Sequence, residues 1–310
     1  MSFIPYLGLI LSSGGNAMKQ FAMKNCGRRA PGAFNSICIN MARSVICAIV
    51  SLIFWALTDL GATNGVGYLV AIMAGVANAF SLFSWILASG LIPMSLIEIF
   101  STFGSLVAPM LLAPYLFGGD RVNLVQWIGC VLLVLSVFSF VDMKRSDKSG
   151  ERKKGALAST VAIVALQASS TGAVTILQKY YNYHVFSKGH GTMEYFNLIS
   201  FSVMVVAFLI AFTLFCLLKR ERITGEGGRI ELPYKRVWFF IIMAGLGLYI
   251  AQYGSGVASA LPSAIYFPLA KSVVMIETFL LDTLVFKDKF TVRKLLGVIL
   301  VILAVVLVNT

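Results

Sequence analysis

The stretch from Leu261 to Phe286 reads LPSAIYFPLAKSVVMIETFLLDTLVF. It has the length of a membrane span, since about 20 apolar residues cross roughly 30 Å of hydrocarbon. Yet it carries Lys271 and Glu277 in its middle, and Pro268 stands three residues before the lysine. A charge at the bilayer centre costs about 2.5–3.5 kcal/mol even on the most lenient insertion scale. Such a residue faces protein or water, so the stretch predicts a helix that lines a cavity. A proline there removes a backbone donor and kinks the helix, which neighbouring helices tolerate. Lys271 is either a strut paired with a carboxylate on an adjacent helix or a contact for substrate or coupling ion. We take the second reading, with Glu277 as a candidate for proton coupling.

Composition sets the class. The 310 residues are 58% hydrophobic and 12% charged, about half the charge of a soluble domain. The charges form short clusters between long apolar runs, the pattern of an all-α integral membrane protein. A net charge of +12 does not imply nucleic acid, because the bases fall in loops, where topology rules place them. Cys26, Cys38, Cys47, Cys130 and Cys216 follow no disulfide or CxxC spacing, and His184 and His190 share a loop with no cysteine nearby. No metal site, cofactor or catalytic set is expected, so the chain is not read as an enzyme. The start, MSFIPYLGLILSS, lacks a basic n-region and is expected to be retained as part of the first span.

Ten spans are expected, at about 3–22, 35–57, 67–89, 92–115, 124–142, 156–178, 195–217, 237–258, 261–286 and 292–309. The first carries Ser12, Ser13 and Asn16, with Lys19 near its end in the headgroup zone, where Asp282 is also placed. Ser36, Asn40, Arg43 and Cys47 recur in steps of four, three and four, so they share one face of the second helix. Asn78, Ser81 and Ser84 form a similar stripe on the third, and Ser95, Glu98, Thr102 and Ser105 on the fourth. The sixth carries Gln167, Ser170, Thr171, Thr175 and Gln178, and the eighth Tyr249, Gln252 and Tyr253. Spans five and ten are apolar all round and are assigned to lipid or to another subunit, a possible homodimer contact. Trp55, Trp85, Trp127 and Trp238 fit interfacial belts or packing.

The chain also repeats itself. Ile72-Met73-Ala74-Gly75 recurs as Ile242-Met243-Ala244-Gly245, and Ala88-Ser89-Gly90-Leu91-Ile92-Pro93 matches Ala258-Ser259-Ala260-Leu261-Pro262. Ser12-Ser13-Gly14-Gly15 resembles Ser169-Ser170-Thr171-Gly172. Phe117 and Phe286 are each followed closely by an acid–base pair, Asp120-Arg121 and Asp288-Lys289. The expected organisation is a first five-helix repeat over 1–143, a basic linker over 144–155, and a second repeat over 156–310. Five helices is an odd number, so the second copy enters the membrane in the opposite sense. Such inverted repeats place a site near the midplane between the halves. In this alignment Lys271 corresponds to Thr102, so a helix with Glu98 faces a helix with Lys271.

With ten spans in two halves, the arginine in Ala42-Arg43-Ser44 and the acid in Gly118-Gly119-Asp120-Arg121, the chain resembles the drug/metabolite transporter superfamily. The EamA-type branch is the nearest likeness, over about 1–143 and 156–310. Aspartates 120 and 288 stand where that family usually has glutamate. The resemblance implies a central cavity lined by helices one, three, four, six, eight and nine, with alternating access. It also implies substrates such as amino acids, nucleotide sugars, sugar phosphates, or cationic and aromatic compounds.

Loops 1–2, 5–6, 7–8 and 9–10 with their helix ends hold 20 of the 25 Lys and Arg, and the other face only Arg121, Lys179 and Lys188. The positive-inside rule then puts both termini outside the cell membrane, whereas members of the family generally read as termini-inside. The function expected is secondary transport of a small polar metabolite with an anionic group. Lys271 and Arg43 would receive the anion, with Thr102, Asn16, Asn78, Gln167, Gln252 and Tyr249 around them. Glu98 or Glu277 would handle a proton, and Glu98 could equally be a fixed partner of Lys271 or Arg43. A cationic-compound exporter, which wants an unpaired buried carboxylate and an aromatic box, is one alternative. A channel or scramblase is another.

Overall fold

The computed structural model of the chain describes residues 3–30, 32–58, 62–89, 94–117, 123–140, 154–218, 234–280 and 292–308. Among these, ten α-helices follow one another and no strand occurs. They are α1 Ile4–Arg29, α2 Ala33–Thr58, α3 Gly65–Ser89, α4 Met94–Leu116 and α5 Leu124–Phe140. Then come α6 Lys154–His184, α7 Met193–Leu218, α8 Tyr234–Ala258, α9 Ser263–Leu280 and α10 Val292–Val308. A 3₁₀ turn at Phe186–Lys188 joins α6 to α7 and closes on Gly189, which has φ 71°. Most of the expected linker, with Asp120, Asp282 and Asp288, lies outside the described residues.

Among the described residues, five helices are long and apolar enough to cross a membrane: 34–58, 65–85, 161–188, 193–218 and 237–258. Shorter apolar helices cover 104–116, 124–136, 263–274 and 295–304. The molecule is inside-out by soluble standards. Asn40, Arg43, Gln167, Gln178, Lys179, Asn182, Asn197 and Gln252 are buried. Leu57, Leu69, Phe80, Leu209, Leu217, Leu218, Phe239 and Leu296 are exposed. Water would not support that exchange, but lipid does. This is an all-α membrane protein.

The closest helix pair is α1 with α8. Gly8 and Gly15 on α1 face Gly247, Ala251, Gly254 and Ala258 on α8, so the two backbones touch. A Cβ on Gly8 would stand 2.7 Å from the Ala258 nitrogen and the Gly254 oxygen, and one on Gly15 would overlap the backbone of Ala251. Small residues seven apart on both helices make that approach possible, the usual device where lipid offers no hydrophobic drive. α6 packs on both α3 and α4, and Gly104 and Gly172 let α4 and α6 approach in the same way. α2 packs on α7 and α8, α3 on α7, α9 on α1 and α4, and α5 on α10. The last pairing gives the apolar helices α5 and α10 a partner within one chain. Their outer faces, with Val131, Leu135, Ile299 and Ile302, stay exposed.

Two expectations change. α1 extends to Arg29, so Lys19 lies well inside the helix and bonds Asn16 Oδ1 at 2.7 Å, not at a helix end. α6 runs on to His184, so Lys179 belongs to a buried helical face and not to a loop. Pro268 does not interrupt α9, and one turn on the Ser272 hydroxyl donates to the Pro268 carbonyl at 2.8 Å.

Candidate functional site

On α2, Asn40, Arg43 and Cys47 of the stripe read from the sequence are buried, and Ser36 at its start is half-buried. The Asn40 amide donates to the Ser36 carbonyl at 2.8 Å, and Ser44 donates to the Asn40 carbonyl at 2.8 Å. Cys47 donates to the Gly245 carbonyl at 3.1 Å, fixing α2 against α8. Arg43 differs from its neighbours. It is 2% exposed, and its Nε and Nη2 have no hydrogen-bond partner. Among the described residues, the ionisable groups beside it are the thiols of Cys26 on α1 and Cys47 on its own helix. A buried guanidinium is ordinarily paired, because removing it from water costs several kcal/mol. Arg43 therefore offers a fork of unused donors shaped for a carboxylate or phosphate.

The second group sits between α1 and α9. The Ser13 hydroxyl, which donates to the Ile10 carbonyl at 3.0 Å, lies beside the Glu277 carboxylate, whose Oε2 is sealed from solvent without a partner. Lys271 is half-buried on the same helix and engaged with other groups. On the facing α1, the Asn16 amide donates to the Ser12 carbonyl at 3.0 Å while its oxygen accepts from Lys19. Asn16 and Glu277 thus belong to adjoining helices.

The third group ties α3, α6 and α8. Ser84 donates to Gln167 Oε1 at 2.6 Å, and Gln167 Nε2 donates to Ser81 Oγ at 3.4 Å. Gln178 donates to the Gln252 carbonyl at 2.6 Å and Asn182 to the Gly256 carbonyl at 2.8 Å. Gln167 is spent on a neighbouring helix, and Gln252 contributes its backbone to the same kind of tie. Asn78 Nδ2 is sealed without a partner, as is the Tyr249 hydroxyl. Glu98 and Thr102 lie on α4, but their side chains are outside the described residues. The expected site residues thus fall into three neighbouring groups, and Arg43 and Glu277 retain unused hydrogen-bonding capacity.

Two residues escaped the sequence reading. Lys179 is 3% exposed and donates to the Leu261 carbonyl at 2.6 Å and to Ser259 at 3.3 Å. The rings of Phe117, Tyr266 and Phe267 surround its ammonium at 5.3, 5.8 and 6.0 Å, within cation–π range. It holds the turn between α8 and α9, where carbonyls at the end of α8 favour a cation. Gln178 and Asn182 flank it at helical spacing, a signal that α6 continues past 178. The other residue is Glu194, in the first turn of α7. The Tyr253 hydroxyl lies beside its carboxylate, a tertiary contact with no local signature.

No protein-family model and no curated protein matches the chain. A solved crystal structure superposes on 97% of this chain and 98% of its own length, with TM-score 0.70 and 10% sequence identity. At that identity the likeness shows a shared fold over essentially the whole chain and nothing about activity.

Proposed function

We propose that the chain is a secondary transporter of the plasma membrane, with ten spans in two inverted five-helix repeats like those of EamA-type drug/metabolite transporters. It moves a small polar metabolite bearing an anionic group by alternating access. Helix packing supports the repeat. Exchanging helices 1–5 with 6–10 turns α1–α8 into α6–α3, α4–α6 into α9–α1, α3–α7 into α8–α2 and α4–α5 into α9–α10. The same exchange leaves α2–α7, α4–α9 and α5–α10 unchanged. Two copies related by a twofold axis in the membrane plane produce that pattern.

The observation that carries the substrate class is Arg43, a fully buried guanidinium with two unmet donors. An anion arriving there would replace water lost on burial by charge-assisted hydrogen bonds. Lys271 then serves as a second cationic contact, and Glu277 or Glu98 as the proton carrier. Saturable, stereoselective counterflow in proteoliposomes, with ligands first found by thermal shift, tests the reading. Flux that fails to saturate would support a channel or scramblase instead. A cation exporter would use Glu194 beside Tyr249 and Tyr253, so inhibition of counterflow by benzyltrimethylammonium but not by benzoate would favour that rival. Orientation is tested by Ser149→Cys in intact cells. With both termini outside, an impermeant maleimide leaves this linker position unlabelled until the cells are lysed.

A further inference from the structure

Among the described residues, polar atoms without partners recur along one seam of the bundle. Ser51 on α2 and Asn197 and Ser200 on α7 are fully buried, and Tyr249 on α8 is 5% exposed. The hydroxyls of Ser51, Ser200 and Tyr249 and both amide atoms of Asn197 have no hydrogen-bond partner. Asn78 on α3 adds a sealed Nδ2. The helices that carry them pack on one another, α7 against α2, α3 and α8, and α8 against α2. Gly75 of α3 rests on the Ser200 backbone, and Phe201 and Tyr249 lie in one cluster with Cys47 and Ala79, their rings 6.5 Å apart.

One end of this seam is marked by three contacts. The Trp55 and Tyr195 rings stand 5.8 Å apart, Asn64 donates to the His190 carbonyl at 3.1 Å, and the Met193 side chain of α7 lies against Gly256 of α8. The ends of α2 and α8 and the starts of α3 and α7 therefore share a membrane face. Ser51, Ser200 and Tyr249 lie about two turns in from it, and Asn197 about one. Glu194 stands between, half-buried and one turn above Asn197 on α7. Its titratable neighbours are Tyr181 of α6, Tyr249 and Tyr253 of α8 and the adjacent Tyr195. Lys188, His184 and His190 stand at the same end, and none of them forms an ion pair with it.

The mixture of unmet atoms selects the guest. The two Nδ2 groups only donate, Asn197 Oδ1 only accepts, and the three hydroxyls do both. A metal ion would leave the amide donors unmet, and an anion would leave the amide oxygen unmet. Water satisfies all six, and buried water typically sits where two to four such groups converge. Left dry, six sealed polar atoms in one seam would be exceptional. We propose that the α2–α3–α7–α8 seam encloses a short chain of bound water, opened to this membrane face through Glu194, whose carboxylate admits protons and cations and repels anions. Only the use of that path for a coupling proton rests on the transporter reading.

Chemical modification of the reconstituted protein tests the hydration without any transport assay. Ser51→Cys and Ser200→Cys are treated with the small cationic reagent methanethiosulfonate ethylammonium. Phe208→Cys, buried among apolar groups of the same cluster, serves as the dry control and wild type as the background for native thiols. Both seam cysteines should react at least tenfold faster than Phe208→Cys, and equal rates would overturn the proposal. The anionic sulfonate reagent should react several-fold more slowly than the cationic one, and Glu194→Gln should bring the two rates together. A ratio indifferent to Glu194→Gln would remove Glu194 from the mouth. Asn197→Leu supplies a second measurement. A wet seam loses thermal stability and reactivity at Ser200→Cys, whereas a rise in melting temperature would mean that the amide was an orphan in a dry interior.

Discussion

Along α1 and α8, Gly8, Gly15, Gly247 and Gly254 bring two backbones into contact, and the Ser13, Asn16 and Lys19 side chains all have partners. Along α2 and α7 the chain places Arg43, Ser51, Asn197 and Ser200, all buried and all with unmet hydrogen-bonding atoms. Both seams join a helix of residues 1–143 to one of residues 156–310. The first has surrendered every gap that a side chain or water could fill, while the second keeps polar capacity in reserve. A bundle needs the first kind of seam to hold together in lipid. It needs the second kind if something polar is to enter.

The contrast is broken most severely at Gly15. Gly15→Val forces α1 and α8 apart, because the added carbon meets backbone and not a movable side chain. A loss of about 3 kcal/mol or more is expected, seen as aggregation or a collapsed yield of monodisperse protein in size-exclusion chromatography. A normal elution profile would show that α1 and α8 are not packed this closely.

Arg43→Met sharpens the contrast in the opposite direction. Removing an unpaired buried charge should raise stability by about 1–4 kcal/mol while abolishing the binding of any anionic ligand found by thermal shift. If the variant melts lower than wild type, Arg43 is a strut, and the anion reading should be abandoned.

A smaller effect is expected at Gln167, which has both side-chain partners. Gln167→Leu takes the partner of the Ser81 hydroxyl and leaves Ser84 only the Phe80 and Ser81 carbonyls, and should cost about 1 kcal/mol, measured as a lower melting temperature in detergent. Asn197→Leu should also lower the melting temperature if water fills the seam, and would raise it in a dry one, so the pair of variants ranks a contact made by side chains against one made by water. The smallest change belongs to Gly14, one residue from the closest contact, where an added methyl would meet nothing within 4 Å. Gly14→Ala should shift stability by less than about 1 kcal/mol, upward if at all. Equal damage from Gly14→Ala and Gly15→Val would erase the distinction between the faces of α1.

Much of the architecture was legible because lipid imposes a simple grammar. Long apolar runs marked helices, and polar residues at steps of three and four marked faces turned away from lipid, as at Asn40, Arg43 and Cys47. The ends are hard to place where polar residues continue a helix. Lys179 and Asn182, just past the expected end of span six, look like a loop to a hydropathy count, yet with Gln178 they are the face by which α6 holds the end of α8. Glu194 gives no signal of its own, because an acid in the first turn of a helix has an adequate local explanation in the helix dipole. Its contact with Tyr253 lies 59 residues away in sequence. The glycine seam could have been read. Gly8 and Gly15, like Gly247 and Gly254, are seven apart, a spacing that puts small residues on one stripe.

That seam also has a consequence for how the chain is made. α1 is synthesised first, but the partner for its glycine stripe emerges roughly 230 residues later, on the order of ten to fifty seconds at ordinary translation speeds. Throughout that interval α1 must stand in the bilayer with Ser12, Asn16 and Lys19 turned toward lipid or toward the insertion machinery. The nascent chain is therefore most vulnerable to quality-control proteases before α8 arrives. Ribosome stalling anywhere before Tyr234 should leave a species that is degraded rather than one that waits half-built.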